Sequence, residues 1–304
     1  MEPIIFAGTP ENAARCLRAL VAAGQHVALV ITRQDAPYGR KRELRSSPVA
    51  AAALELAIPV LKTNRITPED ELQIASSGAR LAVVVAFGAL LKRSTIEALE
   101  LGWFNLHYSV LPRWRGAAPV QSAILAGEKT TGVTLFKIDE GLDTGPVVGA
   151  VETVIEETEN SERLLSRLTD IGTSLLLAEL PRLFSGLATF VEQIGAPSFA
   201  PKLDRAMAKI ELDAGVKIAM RQIRALNPEP GAWLLFNEQP LRVIEARPSY
   251  DLVALGDLVA SKTGVLLGFG DSSIELRIVQ PAGKSQMPAG DWFRGTKPTE
   301  RNVS

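Results

Sequence analysis

The chain has 304 residues, 46% of them apolar and 22% charged, with a formal net charge of −1. That length carries about two domains on a prior of roughly 150 residues each, and the near-zero charge excludes a strong whole-protein pull on nucleic acid or membrane. A single cysteine, Cys16, excludes an internal disulfide, and with only two histidines, His26 and His107, no zinc site and no other metal is expected.

The first residues, Met1-Glu2-Pro3-Ile4-Ile5-Phe6, hold neither a basic stretch nor a long apolar one, so a secretory signal is not expected. The longest nearly apolar run, Leu81–Leu91, is too short to span a bilayer. The expected location is the cytoplasm, with no membrane partner.

Pro3–Ala7 is a short apolar run ending at Gly8, as for a buried strand. Thr9 is placed to cap a helix that begins at Pro10 and closes at Gly24, proline in and glycine out. Cys16 falls inside it and reads as a small buried hydrophobe rather than a nucleophile. His26–Thr32 is a second strand, and the β-α-β opening predicts a parallel sheet with right-handed crossovers. Arg33–Pro48 reads as a long loop. Leu81–Phe87 (LAVVVAF) has the continuous β-branched character of a central strand covered on both faces. A helical stretch around Ser94–Leu101 leads into a strand, Gly102–His107. Pro119 opens a helix that Gly127 ends, and Gly132–Ile138 and Val147–Val154 are another pair of strands. Ser161–Phe184 is a long Leu-rich helix with Gly172 and Pro181 as weak points.

The pattern changes near residue 190. Gly195-Ala196-Pro197-Ser198-Phe199-Ala200-Pro201 has linker chemistry, with two prolines, a glycine and small residues. A helix over about Ala214–Leu226 follows, ended by Asn227-Pro228-Glu229-Pro230-Gly231. Short β-like runs come after it at Ala232–Phe236, Leu241–Ala246, Gly264–Phe269 and Ser273–Gln280, which suggest a small barrel. The expected fold class is α/β: a Rossmann-like parallel-sheet domain over 1–189, a linker over 190–206, and a small open β-barrel, OB-like, over 207–304. The first turn, FAGTPENAA, has only Gly8 where a dinucleotide fingerprint wants three glycines, so a Rossmann dehydrogenase is disfavoured. Neither a phosphate loop nor a nucleophile elbow is present.

The most informative segment is FNLHYSVLPRWRG, residues 104–116. Along a strand, Asn105 and His107 share a face while Phe104, Leu106 and Tyr108 take the other. A hydrogen-bond donor and a titratable base side by side, just before a loop, suit an acyl-transfer site. Taken singly, Asn105 reads as a strand-end residue and His107 as a buried histidine. The second informative run is Ile138-Asp139-Glu140-Gly141-Leu142-Asp143-Thr144-Gly145-Pro146. Acids in a loop are usually just solvated. Beside an imidazole, however, an acid such as Asp143 can orient the ring and stabilise its charged form.

FNLHYSVLPRWRG followed by GLDTG resembles the folate-dependent formyltransferases. Further matches run nearly the whole length: IIFAGTPE at the start, VVVAFG at 83–88, RGAAPVQSAI at 115–124, APKL at 200–203, IRALNPEPGAW at 223–233 and QPAGKSQM at 280–287. The AAPVQ and RALNP-P-GA segments are similar to the branch of the family whose acceptor is methionine-charged tRNA. The resemblance implies a formyltransferase domain followed by a tRNA-binding barrel. It also implies transfer of a formyl group from N10 of 10-formyltetrahydrofolate to the amino group of methionyl initiator tRNA, in translation initiation. The amine would attack the formyl carbon directly, and an oxyanion would form. Asn105, through its side-chain NH2, is the natural donor to that oxygen. His107 would share in oxyanion stabilisation and proton movement. Asp143 would fix the imidazole, or a water that shuttles protons.

The resemblance also implies a folate crevice at the carboxyl ends of the strands. Ser109, Val110, Leu111 and Pro112 would form part of its wall, with Val110 standing where the family usually has leucine. Phe87, Gly88, Ala89, Leu90 and Leu91, with the loop from Asp139 to Asp143, would enclose the pterin. The basic residues Arg33, Arg40, Lys41, Arg42 and Arg45 sit where the family inserts a basic loop into the tRNA acceptor stem, and Arg40 matches its key arginine. The C-terminal barrel would hold more of the tRNA, although residues 200–304 carry only fourteen Lys/Arg against twelve Asp/Glu, a net of +2. Lys202, Arg205, Lys209, Arg221 and Arg224 are the candidates for a basic face there. At 210–212 the chain has Ile-Glu-Leu where the family commonly has an Asp-Trp pair, which puts local packing in question. A monomer is expected. The competing readings are a formyltransferase acting on a nucleotide-linked amino sugar, a purine-pathway formyltransferase, and an RNA-binding protein on a degenerate enzyme scaffold. The basic loop and AAPVQ argue against the first, the C-terminal barrel against the second, and the intact Asn105, His107 and Asp143 against the third.

Overall fold

Short apolar runs punctuated by capped helices build the first part of the chain in alternating β and α elements. The structure is a computed structural model that describes residues 2–39, 42–270, 272–296 and 303. The chain divides into two compact units: Met1–Pro119, Thr130–Val154 and Leu165–Pro201 in one, and Val120–Lys129, Ile155–Leu164 and Lys202–Ser304 in the other.

In chain order the elements of the first part are β1 (Ile4–Gly8), α1 (Glu11–Ala22), β2 (Val27–Thr32), β3 (Ala36–Tyr38), β4 (Glu43–Arg45), α2 (Pro48–Glu55), β5 (Val60–Lys62), α3 (Pro68–Ser76), β6 (Leu81–Val85), α4 (Arg93–Glu97), β7 (Gly102–His107), β8 (Arg115–Gly116), α5 (Pro119–Ala126), β9 (Thr130–Lys137), β10 (Val147–Val154), α6 (Ser161–Phe184) and β11 (Phe199–Ala200). One sheet has the strand order β10-β9-β7-β6-β1-β2-β5. β5, β2, β1, β6 and β7 run parallel, whereas β9 is antiparallel to β7 and β10 to β9. The expected parallel sheet therefore carries an antiparallel pair at one edge, beside the strand with the informative motif. Every residue of β6 is buried, as its unbroken LAVVV run requires when both faces are covered.

Two local expectations need correction. Thr9 does not cap α1: Pro10 occupies the cap position without a side-chain bond, and the Thr9 hydroxyl donates to the Phe87 carbonyl at 3.2 Å. Arg33–Pro48 is not one long loop, because β3 and β4 pair there as an antiparallel hairpin. The long helix α6, by contrast, has the bounds the sequence predicts. It runs from Ser161 to Phe184 through both Gly172 and Pro181. Gly172 is there for close approach: a Cβ on it would lie 2.7 Å from Leu106 Cδ2. Gly172→Ala is therefore expected to overpack the seam between α6 and β7 and to destabilise the protein by about 1–3 kcal/mol. Chemical denaturation against the wild type checks this.

The two faces of β7 part as the alternation predicts. Trp103 joins a core with Ile5, Ala7, Leu29, Ile31 and Val84. On the opposite face Leu106 meets Gly172 of α6, and the Tyr108 hydroxyl accepts from Asn12 Nδ2 of α1 at 2.9 Å. Cys16 of α1 is buried, and burial pushes its thiol up to about 11, so it stays an inert core residue.

The second unit continues with α7 (Val216–Leu226), β12 (Trp233–Phe236), β13 (Gln239–Ser249), β14 (Leu258–Ala260), β15 (Val265–Gly268), β16 (Ser273–Pro281), β17 (Met287–Pro288) and α8 (Ala289–Gly295). The antiparallel order is β12-β13-β16-β15-β14, with β17 on β16. Its core holds Ile223 of α7, Leu234, Val243, Leu267, Leu276 and Trp292 of α8. The Ile-Glu-Leu departure is accommodated there: Ile210 is wholly buried in this core with Leu212 packed against it. Glu211 turns outward toward Lys209, 3.6 Å away.

Candidate active site

β7 delivers Asn105 and His107 to one face, about 6.6 Å apart along the strand. Their neighbours on that face differ. His107 is buried, with its ring edge-on to Phe136 at 6.4 Å between centroids. Asn105 is half-buried. Among the described residues none forms a hydrogen bond to its side-chain amide, which leaves that group open to a bound molecule.

The imidazole is pinned at one nitrogen. Nε2 lies 2.8 Å from the Trp114 carbonyl oxygen. A carbonyl only accepts, so Nε2 carries the proton and the neutral ring presents its lone pair at Nδ1. Nδ1 lies 3.7 Å from Asp143 Oδ2, with the Asp143 side chain only 14% exposed. Burial lowers the His107 pKa below its ordinary 6.5 more than the Asp143 charge and the Trp114 carbonyl raise it, so the ring is neutral at pH 7.

The backbone around this pair is held in unusual conformations. Trp114 has φ 59° and Asp143 φ 52°, both in the left-handed region. For a bulky residue such as Trp114 this costs about 1–3 kcal/mol, and strain of this kind gathers at functional sites. Here it aims the Trp114 carbonyl at His107, while the Trp114 N–H donates to Ser198 Oγ at 2.9 Å. The Gly116 N–H donates to Asp143 Oδ2 at 2.7 Å. Gly145, two residues beyond Asp143, admits no side chain, since a Cβ there would sit 1.8 Å from the Lys137 carbonyl oxygen.

The remaining candidates fall into three groups. Ser109–Pro112 follows β7 directly. The Ser109 hydroxyl donates to the Arg113 carbonyl at 2.6 Å, and Thr134 Oγ1 ties the segment to β9 by donating to the Ser109 carbonyl at 2.7 Å and accepting from the Leu111 N–H at 3.1 Å. Val110 fits against Gly132, whose missing Cβ would lie 2.7 Å from Val110 Cγ2. Phe87 is buried, and Ala89, Leu91 and Ile138 pack on the same core as Trp103. Gly88 has φ 81°, and Leu90 is 86% exposed. Asp139 accepts from Thr144 Oγ1 at 2.6 Å and from the Gly141 N–H at 3.0 Å, which closes the loop that ends in Asp143. Arg93 and Glu140, 3.8 Å apart, join the segment after Leu91 to that loop. The structure thus brings the 87–91 segment and the 139–143 loop together.

The basic residues are less gathered. Arg33, Arg42 and Arg45 are exposed on and around the β3–β4 hairpin. Arg40 and Lys41 lie outside the described residues. Asp35 at its base is tied to Lys62 at 2.7 Å. In the second unit, Arg221 donates to the Ala126 carbonyl at 3.3 Å and Arg224 to the Glu159 carbonyl at 3.1 Å. Both serve as internal clasps. Arg205 lies over the Trp233 ring at 5.5 Å.

Sequence reasoning missed Arg115, Gln193 and Ser198, which hold the loops that carry Asp143 and Trp114. Gln193 and Ser198 lie in the stretch expected as linker. There Phe199–Ala200 pairs in parallel with Arg115–Gly116. Only the place of Arg115 as the first residue of the RGAAPVQ run gave any hint.

The family of formyl transferases has a domain model that matches residues 2–180, and a second model for the formyl transferase C-terminal domain matches residues 202–297. The fold is thus that of the formyl transferases. The methionyl-tRNA formyltransferase of Renibacterium salmoninarum is 44% identical over 294 residues, covering 96% of each chain. That of Streptomyces coelicolor is 43% identical, covering 98% of this chain and 97% of its own. The chain belongs to the methionyl-tRNA formyltransferase family. A crystallised N-formyltransferase from Helicobacter canadensis, bound to folinic acid and dTDP-3-aminofucose, shares the fold at a TM-score of 0.67 and 20% identity, covering 92% of this chain and all of that one. Among the described residues no helix is long and apolar enough to cross a membrane.

Proposed function

We propose that the protein transfers the formyl group of 10-formyltetrahydrofolate to the amino group of methionyl initiator tRNA, giving N-formylmethionyl-tRNA for translation initiation in the cytoplasm, and that it acts as a monomer. The observation that carries the chemistry is the state of His107. Its Nε2 is held by a backbone carbonyl, so Nδ1 is the working nitrogen, facing the Asp143 carboxylate on the face it shares with Asn105.

The residues then divide the work. Asn105 Nδ2 donates a hydrogen bond to the formyl oxygen as negative charge builds up there. His107, neutral at rest, takes the proton that the attacking amine must lose, and Asp143 stabilises the imidazolium as it forms. The proton passes on to N10 as the bond between N10 and the formyl carbon breaks, so no proton is gained or lost overall. The donor site fits a flat, hydrogen-bonding heterocycle. Phe87, Leu91 and Ile138 supply an apolar floor, Ser109–Pro112 a wall, and the Asp139–Asp143 loop a polar side. Leu90 and Leu142, both exposed, stand on the two facing segments where a ring would cover them.

For the acceptor, the basic residues of this segment, Arg33, Arg40, Lys41, Arg42 and Arg45, would meet tRNA phosphates. Arg42→Ala is expected to weaken tRNA binding and to reduce the slope of log affinity against log salt by about one, the signature of one lost phosphate contact. Filter binding across a salt series measures it. The test of the whole reading is formyl transfer by the purified protein to methionine-charged initiator tRNA, with uncharged tRNA and a nucleotide-linked amino sugar alongside. Product on charged tRNA alone supports it. Turnover only on the amino sugar keeps the formyl chemistry and overturns the acceptor.

A further inference from the structure

We propose that Gln193 is a positioning residue that holds the Asp143 carboxylate in place against His107. The inference rests on the catalytic roles proposed for His107 and Asp143.

One amide spans the two backbone segments that define the acid. Gln193 Nε2 donates to the Asp143 carbonyl at 2.8 Å and to the Gly145 carbonyl at 2.9 Å. Gln193 Oε1 accepts from Arg115 Nη2 at 2.6 Å and Nε at 3.2 Å. Arg115 immediately precedes Gly116, whose N–H donates to Asp143 Oδ2 at 2.7 Å. The same side chain therefore fixes the backbone that carries the carboxylate and the strand that grips the carboxylate oxygen. Asp143 needs such a hold, because its φ of 52° is one that few side-chain-bearing residues adopt unaided. All of the Gln193 donors and its acceptor are used in this way, and it touches no reacting atom.

A merely structural clasp on the 139–145 loop would lower stability and leave the state of His107 alone. A positioning residue moves His107. Asp143 is the charged side chain that faces the ring, at 3.7 Å, and its charge favours the imidazolium, so a displaced Asp143 lowers the His107 pKa. The test uses the full chain carrying Gln193→Met, which keeps the volume and removes every hydrogen bond. Formylation kinetics and an NMR titration of the two imidazoles are the readouts, with exposed His26 as internal reference. The expected result is a kcat lower by about 10- to 100-fold, the loss that a misplacement of about 1 Å brings, with KM for tRNA within about twofold. The His107 titration should move to lower pH. An unmoved His107 titration in folded protein, or an unchanged kcat, overturns the proposal. Should Gln193→Met not fold, Gln193→Ala at this half-exposed position is judged by the same criteria. Wild-type turnover on methionyl-tRNA separates the two readings. If the wild type is inactive the functional reading fails, and the NMR shift still decides the role of Gln193.

Discussion

Asn105→Ala is expected to lower kcat by about 10²–10³ while KM for either substrate stays within about threefold, since an oxyanion donor acts mainly in the transition state. The structure makes this the sharpest substitution available. Asn105 is half-buried on β7, so the change leaves no large cavity and should spare the fold. Its neighbours on the sheet are fixed by register, Val84 on one side and Phe136 on the other, and both are apolar, so neither can supply a side-chain donor in its place. Asn105→Asp is the useful companion: it keeps the shape but replaces the NH2 donor with an acceptor that repels the developing charge, and should fall at least as far. Steady-state formylation of charged tRNA, with melting temperatures as a control on folding, measures both. A loss confined to KM would show that Asn105 only binds substrate.

The parts of this site legible in the sequence are those with local physical signatures. Alternation over Gly102–His107 was enough to place Asn105 and His107 on one face, because strand side chains repeat every two residues. The all-apolar LAVVV run announced a central strand for the same kind of reason. What escaped depends on partners far away in sequence. Gln193 reaches Asp143 and Arg115 across 50 and 78 residues, and no period or cap marks it. β8 and β11 are two residues long, below the length at which alternation can be seen. Gly172 looked like a flaw in a helix because its reason, Leu106 on β7, lies on another element. The tautomer of His107 was equally out of reach, since it is set by the backbone carbonyl of a strained Trp114.

His107→Ala should remove the proton acceptor and cost about 10²–10⁴ in kcat, the usual worth of positioned acid–base catalysis. The pH dependence carries the more specific expectation. Because burial lowers the His107 pKa below its ordinary 6.5, the ring loses its proton already on the acid side of neutrality. The limb of the activity profile that belongs to His107 should therefore lie below pH 6.5 and be complete by pH 7, where Nδ1 can accept. Asp143→Asn retains an acceptor for the Gly116 N–H and deletes the charge. Of the influences on His107 it removes one that raises the pKa, so the limb must move to still lower pH. The plateau must also drop, because the imidazolium formed during transfer loses its counter-ion. These two shifts have opposite effects on rate at low pH, which a general loss of structure cannot imitate. The substrate amine titrates too, but its limb is common to every variant. A profile that keeps the wild-type acid limb in Asp143→Asn would assign proton transfer to another group. In that case His107 would serve only to shape the site around Asn105.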